Sequence, residues 1–148
     1  MLDEEIRYGG FWVRLLASLI DGIIITLVAA IPYVVLYAIY YFANIQGMVI
    51  IYLLAFFDGN LWGLIIGIIY TVKLVASEKK STFAMRFFNL IIVDKNMQRL
   101  TLGHSFGRWA AMLFVCIFTL CLGFLTIIFR QDKRGLHDII AGTYVIYK

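Results

Sequence analysis

Three long apolar tracts, at roughly 12–40, 49–76 and 107–129, constrain this chain more than any other feature. A hydrocarbon core of about 30 Å is crossed by about 20 apolar residues in helical form, and each tract reaches that length. Helix is the form such a tract takes in lipid, because every backbone N–H and C=O is then satisfied within the segment. Composition agrees, with 63% of residues hydrophobic and 15% charged. The expectation is an all-α membrane protein with about three transmembrane helices and the lipid bilayer as its first partner. It forms one domain over 1–148, with a polar loop at 77–106 and a C-terminal tail at 130–148. No stretch remains for a sizeable water-soluble domain.

The leader "MLDEEIRYGG" is acidic before it is basic, and the first tract contains Asp21 and runs on past Val28-Ala29-Ala30, which argues against a cleaved signal peptide. Cys116 and Cys121 fall in the third tract, on different faces of a helix, so they read as buried structural cysteines instead of a disulfide or metal pair.

Lysine and arginine set the orientation. Arg7 and Arg14 flank the start of the first tract, the link "YYFANIQG" has no basic residue, and Lys73, Lys79, Lys80, Arg86, Lys95, Arg99 and Arg108 crowd the second loop. That pattern predicts a multi-pass protein of the cell membrane with its N-terminus and long loop in the cytoplasm. Three crossings would then place the tail outside, yet the tail carries Arg130, Lys133, Arg134 and Lys148. A third tract that dips or lies along the surface would reconcile the two, as would an exception to the rule.

Within the first tract, Arg14 and Asp21 share a helix face but are separated by about 10 Å along the axis, too far for a comfortable direct pair. Counted from Phe11, Asp21 lies about 15 Å deep, near the midplane unless the helix is displaced or tilted. An ionised carboxylate there costs at least about 3 kcal/mol, so Asp21 should face protein or water and have a partner. Candidates are Arg14, Arg108, Lys73 or a second chain. The bland reading is an ion pair that fixes helix register; the sharper one is ion or substrate handling. A carboxyl shielded from water holds its proton to higher pH, which a proton-coupled cation site needs.

In the second tract Gly59, Gly63 and Gly67 are spaced four apart, and Ala55 and Thr71 extend the stripe, which predicts a close helix–helix packing face. Ser18 and Gly22 form a shorter version in the first. Asp58-Gly59-Asn60 also reads as a turn, so the second helix would begin there or at Met48. Pro32 should kink or end the first helix.

Four segments, "GFWVRLLASLID", "SEKKSTFAMRFFNLIIVD", "LTLGHSFGRW" and "KRGLHDIIAGTYVI", occur in this order over nearly the whole chain. Together they resemble the RDD family of small integral membrane proteins. The resemblance implies that the naming arginine and two aspartates are Arg14, Asp21 and Asp138. It also implies a transport role, with cation–proton exchange the most concrete form. At "KKSTFAMR" the chain departs from the family's Gly-x-Thr-Leu-Gly-Lys pattern: Ala84 and Met85 stand where Gly and Lys are expected, and Arg86 is left to supply the charge.

In the long loop, "RFFNLIIV" followed by "DKN" and "MQRLT" reads as a short β-hairpin. An interfacial amphipathic helix over 82–93, with Phe83, Phe87 and Leu90 in the headgroups, fits equally. The closing "DIIAGTYVIYK" is also strand-like; if the tail shares the loop's compartment, these strands could pair and hold Asp138 against the helix ends.

The scattered basic residues fit attraction to anionic lipid, and a nucleic-acid partner is not expected. His104 and His137 read as interfacial histidines or proton relays. There is no catalytic triad spacing, phosphate-cradling loop or metal-ligand cluster, so no enzyme, cofactor or metal is expected. Two functions remain. The first is a transporter exchanging a proton for a monovalent cation or small solute through Arg14, Asp21 and Asp138, within a homo-oligomer because three helices enclose a pathway poorly. The second is a non-transporting scaffold or accessory subunit for another membrane protein, using the same charges for packing.

Overall fold

The computed structural model describes residues 6–42, 48–120 and 122–148. It is mostly helical. The first two tracts form α1 (Phe11–Phe42) and α2 (Met48–Val75), at 32 and 28 residues. α1 runs through Pro32, and α2 runs through Asp58-Gly59-Asn60, so neither the stop nor the turn expected there occurs. Among the described residues, Phe11–Ile39 and Leu102–Thr119 are long and apolar enough to cross a membrane, and Leu61–Val75 is a shorter apolar helix.

The third tract differs from expectation. Its helix, α4, spans Leu102–Thr119 and starts where Thr101 accepts a hydrogen bond from His104 N at 3.2 Å. It stops because Leu120 adopts a left-handed conformation at φ 48°, which ends the hydrogen-bond ladder. The chain continues as a 3-10 turn, Leu122–Phe124, and a single helical turn, α5 (Thr126–Phe129). Gly123 then packs directly onto Val115, so the segment after α4 folds back along it. A continuous helix over 107–129 is therefore not formed. The helical-wheel argument about the cysteines fails with it, since that argument assumed one helix: Cys116 is half-buried and disulfide-bonded, while Cys121 lies outside the described residues.

The polar loop contributes α3 (Phe83–Phe87) and β1 (Leu90–Asp94). The tail contributes α6 (Leu136–Ala141) and β2 (Thr143–Tyr147). β1 pairs antiparallel with β2, in register from Leu90↔Tyr147 to Asp94↔Thr143. The expected local hairpin is not the pairing that forms, because "MQRLT" stays irregular after a turn closed by Asp94, whose Oδ1 accepts from Asn96 N and Gln98 N at 2.8 Å. The alternative for 82–93 holds in part: Phe83 and Phe87 are exposed, whereas Leu90 is fully buried in the sheet.

On its other edge β2 takes the N-terminal segment. Tyr8 bridges Ile146, Gly9 N donates to Val145 O at 2.9 Å, and Tyr147 N donates to Arg7 O at 2.9 Å. N-terminal segment, loop and tail thus meet in one cap. The apolar core sits in this cap: Ala17 of α1, Val75 of α2, Ala84 and Met85 of α3, Leu90, Ile92, Leu100 and Val145. Away from it α1 turns an apolar face outward, with Leu19, Ile23, Leu27 and Ile31 each more than half exposed. Side chains four apart lie on one stripe, and such a stripe is stable when it faces lipid.

The glycine stripe packs within the chain at one end. A methyl added at Gly67 would meet the Ile25 side chain at 3.8 Å, Gly63 and Gly22 face open space, and the surroundings of Gly59 lie outside the described residues.

Candidate functional site

On α1, Arg14, Ala17 and Asp21 are the buried positions of one face, at spacings of three and four that keep them on a single stripe toward the cap. The arginine and the aspartate nevertheless enter two separate polar centres.

The first centre is built on Asp138, which is fully buried. Its Oδ2 accepts from Arg14 Nη1 at 2.6 Å and from Gly135 N at 3.3 Å. Its Oδ1 accepts from Arg108 Nε at 2.9 Å, lies 2.8 Å from Arg108 Nη2, and takes a long bond from Thr143 Oγ1 at 3.4 Å. Local structure aims each group. Asp138 occupies the third position of α6, where its carboxylate also satisfies the free N–H of the residue before the helix. Gly142 at φ +63° turns the chain from α6 into β2, a conformation glycine takes without strain. Arg14 is held at both ends, donating through Nε to Gly9 O at 2.8 Å and through Nη2 to Lys133 O at 2.6 Å. The space at Gly9 is tight, since a methyl there would sit 3.0 Å from Leu90 Cδ2 and push that side chain aside. Arg134 closes the rim, bonding Asp138 O and Thr143 O at 3.1 Å and lying over the Tyr144 ring.

Burial pushes the Asp138 carboxyl up, but Arg108, His137 and Arg14 together outweigh it and hold the group well below the usual carboxylate range. His137 goes the other way. Burial, the largest influence, lowers it to about 4 against the pull of Asp138, with Arg108 and Arg14 adding to the depression. At neutral pH the imidazole is therefore uncharged, and the two guanidiniums carry the stabilisation of Asp138. Its Nε2 lies 3.3 Å from Asp138 Oδ1, which assigns the proton to that nitrogen, while Nδ1 is buried without a partner. The centre comprises two fixed positive charges, one fixed negative charge and a neutral ring.

The second centre is built on Asp21, 8% exposed. Its Oδ1 accepts from Tyr70 Oη at 2.6 Å and Ala84 N at 3.1 Å, and its Oδ2 accepts from Thr82 Oγ1 at 2.5 Å. Tyr70 Oη in turn accepts from Phe83 N at 3.1 Å. Thr82 caps α3, so Asp21 meets the start of that short helix. None of the expected cationic partners is there: Arg14 and Arg108 are bound to Asp138, Lys73 is exposed, and no ion pair to Asp21 forms among the described residues. The depth argument also changes. Asp21 is sheltered by the polar loop, which wraps the first turns of α1, so depth cannot be counted from Phe11.

Sequence reasoning placed Arg14, Asp138 and Arg108 among the charges that matter, and the fold brings these three together. It missed Tyr70, which sits unremarked in an apolar tract, and Thr82, whose signal was its place before a short helical run. His137 proves central, whereas His104 bonds Ala141 O at 2.6 Å and ties α4 to α6. No cluster able to hold a metal occurs among the described residues.

The chain is 32% identical over 148 residues to the uncharacterized protein YxaI of Bacillus subtilis (strain 168), covering 94% of this chain and 97% of that one. It is 30% identical over 144 residues to the uncharacterized protein YckC of the same organism, covering 93% and 83%. No solved structure matches. The RDD family profile matches residues 8–142, a span that contains Arg14, Asp21 and Asp138, and this chain belongs to the RDD family.

Proposed function

We propose that this protein is a multi-pass protein of the cell membrane that exchanges a proton for a monovalent cation or small solute at Asp21. In this reading the Asp138 centre is the lock that holds the cap together. One observation carries the division of labour. Among the described residues Asp21 is a buried carboxylate served by neutral donors alone, whereas Asp138 has both oxygens engaged by guanidiniums. A buried carboxylate with no protein cation on it attracts an incoming cation by its own charge. One already held by two arginines has nothing left to exchange.

The orientation we adopt puts the cap in the cytoplasm. Two features support it: the cap gathers the basic residues of loop and tail, and Cys116 lies about 12 Å along α4 beyond Arg108, away from the cap, where a disulfide fits an oxidising side. The outward faces of Gly22 and Gly63 are surfaces on which copies could assemble to enclose a pathway. The scaffold reading keeps a specific support of its own, since the Arg14–Asp138–Arg108 lock is an architectural device whether or not anything crosses.

The deciding experiment is cation-driven proton flux in proteoliposomes. Wild type is expected to move protons against a monovalent cation gradient, and Asp21→Asn is expected to abolish that movement while inserting and assembling normally. A wild type inactive with every monovalent cation and small solute offered overturns the proposal in favour of the scaffold.

A further inference from the structure

A groove of about 660 Å³ opens between α1, α2 and α3. Its wall is apolar, formed by Ile24 of α1, Ile69 and Leu74 of α2 and Phe83 of α3. Two cations, Lys73 and Arg86, also line it, and no acidic residue does. Neither cation has an ion-pair partner among the described residues. Lys73 is exposed near the end of α2, and Arg86 spends Nη2 on Ser81 O at 3.3 Å while its Nε is buried with no hydrogen-bond partner. A buried guanidinium N–H without an acceptor costs free energy that a bound anion would recover.

An apolar furrow running up to two uncompensated cations at the junction of membrane helix and polar loop has the pattern of an amphiphile's binding site. The cations are complementary to a headgroup phosphate, which suits the guanidinium fork, and the wall is complementary to an acyl chain. Exposed Phe83 and Phe87 on α3 set that short helix at the same level as the headgroups. We propose that this groove binds an anionic phospholipid, with Lys73 and Arg86 on the phosphate and an acyl chain along Ile24, Ile69 and Phe83. The site lies across Tyr70 from Asp21, since Tyr70 also lines the groove. It does not require transport at Asp21, because binding is read with no gradient present.

The test is lipid retention. Full-length protein is reconstituted in nanodiscs of phosphatidylcholine with a minor share of phosphatidylglycerol, extracted in mild detergent, and its bound lipid is quantified by mass spectrometry. Wild type should retain phosphatidylglycerol in clear excess over its share, Lys73→Gln should lower that enrichment about fivefold, and Lys73→Gln with Arg86→Gln about thirtyfold. Lys73 is exposed and makes no ion pair among the described residues, so its single variant folds and decides the matter if the double variant does not. Retention in proportion to the lipid supplied, or enrichment unchanged in Lys73→Gln, overturns the proposal. Equal thermal stabilisation of the detergent-solubilised protein by inorganic phosphate and by phosphatidylglycerol assigns the site to a free anion and overturns it too.

Discussion

Asp138 and Asp21 are both buried, yet Asp138 meets two guanidinium groups at 2.6 and 2.8 Å, whereas Asp21 meets a phenol, a hydroxyl and a backbone amide. Burial therefore does not define the role of a carboxylate; the charge of its neighbours does. Paired with two cations, a carboxylate is fixed in its ionised form and becomes part of the frame. Given neutral donors in place of guanidiniums, it is left without a protein counter-charge among the described residues. The family signature places one arginine and two aspartates in the chain, and the structure spends the arginine on one aspartate.

The contrast can be broken most forcefully at Asp138. Asp138→Ala leaves the guanidiniums of Arg14 and Arg108 buried against each other and should cost about 3–5 kcal/mol, seen as loss of monodisperse protein on extraction or a large drop in thermal midpoint. Wild-type stability in that variant would remove the lock from the comparison.

Next comes acid. His137 is neutral when folded, with its value lowered to about 4, against an unfolded value of about 6.5. The unfolded chain then binds the extra proton first, so stability is complete above about pH 6.5 and falls as pH drops toward 4, by on the order of 3 kcal/mol. Asp138, also lowered, adds a further loss as pH falls below the ordinary carboxylate range. Denaturant unfolding of wild type and His137→Gln between pH 4 and 7 checks this; the variant should lack the slope across that window, and an identical slope would mean the ring is not buried as neutral imidazole.

A smaller effect is expected at the other centre. Asp21→Asn preserves the shape and should cost about 1–2 kcal/mol, well under the Asp138 variant, while removing the exchange proposed above. A loss as large as that of Asp138→Ala would make Asp21 a second lock and erase the contrast. Smallest is Tyr70→Phe, which removes one of three donors to Asp21 and should cost about 1 kcal/mol in thermal unfolding, with the pH dependence of the proposed flux displaced. No displacement would detach Tyr70 from the exchanging group.

The sequence made the first two helices legible because their apolar runs are long, and α1 and α2 match the expected 12–40 and 49–76 closely. Strand character in "NLIIVD" and "GTYVIYK" was also readable from β-branched and aromatic residues. What stayed hidden is non-local. β1 finds its partner in the tail instead of across the nearby turn, a choice settled by burial of Leu90, Ile92 and Val145 together. The end of α4 was unreadable for a local reason: the left-handed residue is Leu120, which gives none of the glycine or asparagine signal that usually marks a helix stop. At the site, the Arg14 and Asp138 roles came through the family resemblance, while Tyr70 and Thr82 carry no pattern until the loop is folded onto α1.

The 124 positions between Arg14 and Asp138 have a consequence for biogenesis. When the first hydrophobic segment leaves the ribosome, its guanidinium lacks the partner it has in the folded chain, for that aspartate has yet to be translated. Arg14 gains the carboxylate that fixes it only once the tail is made and returns to α1.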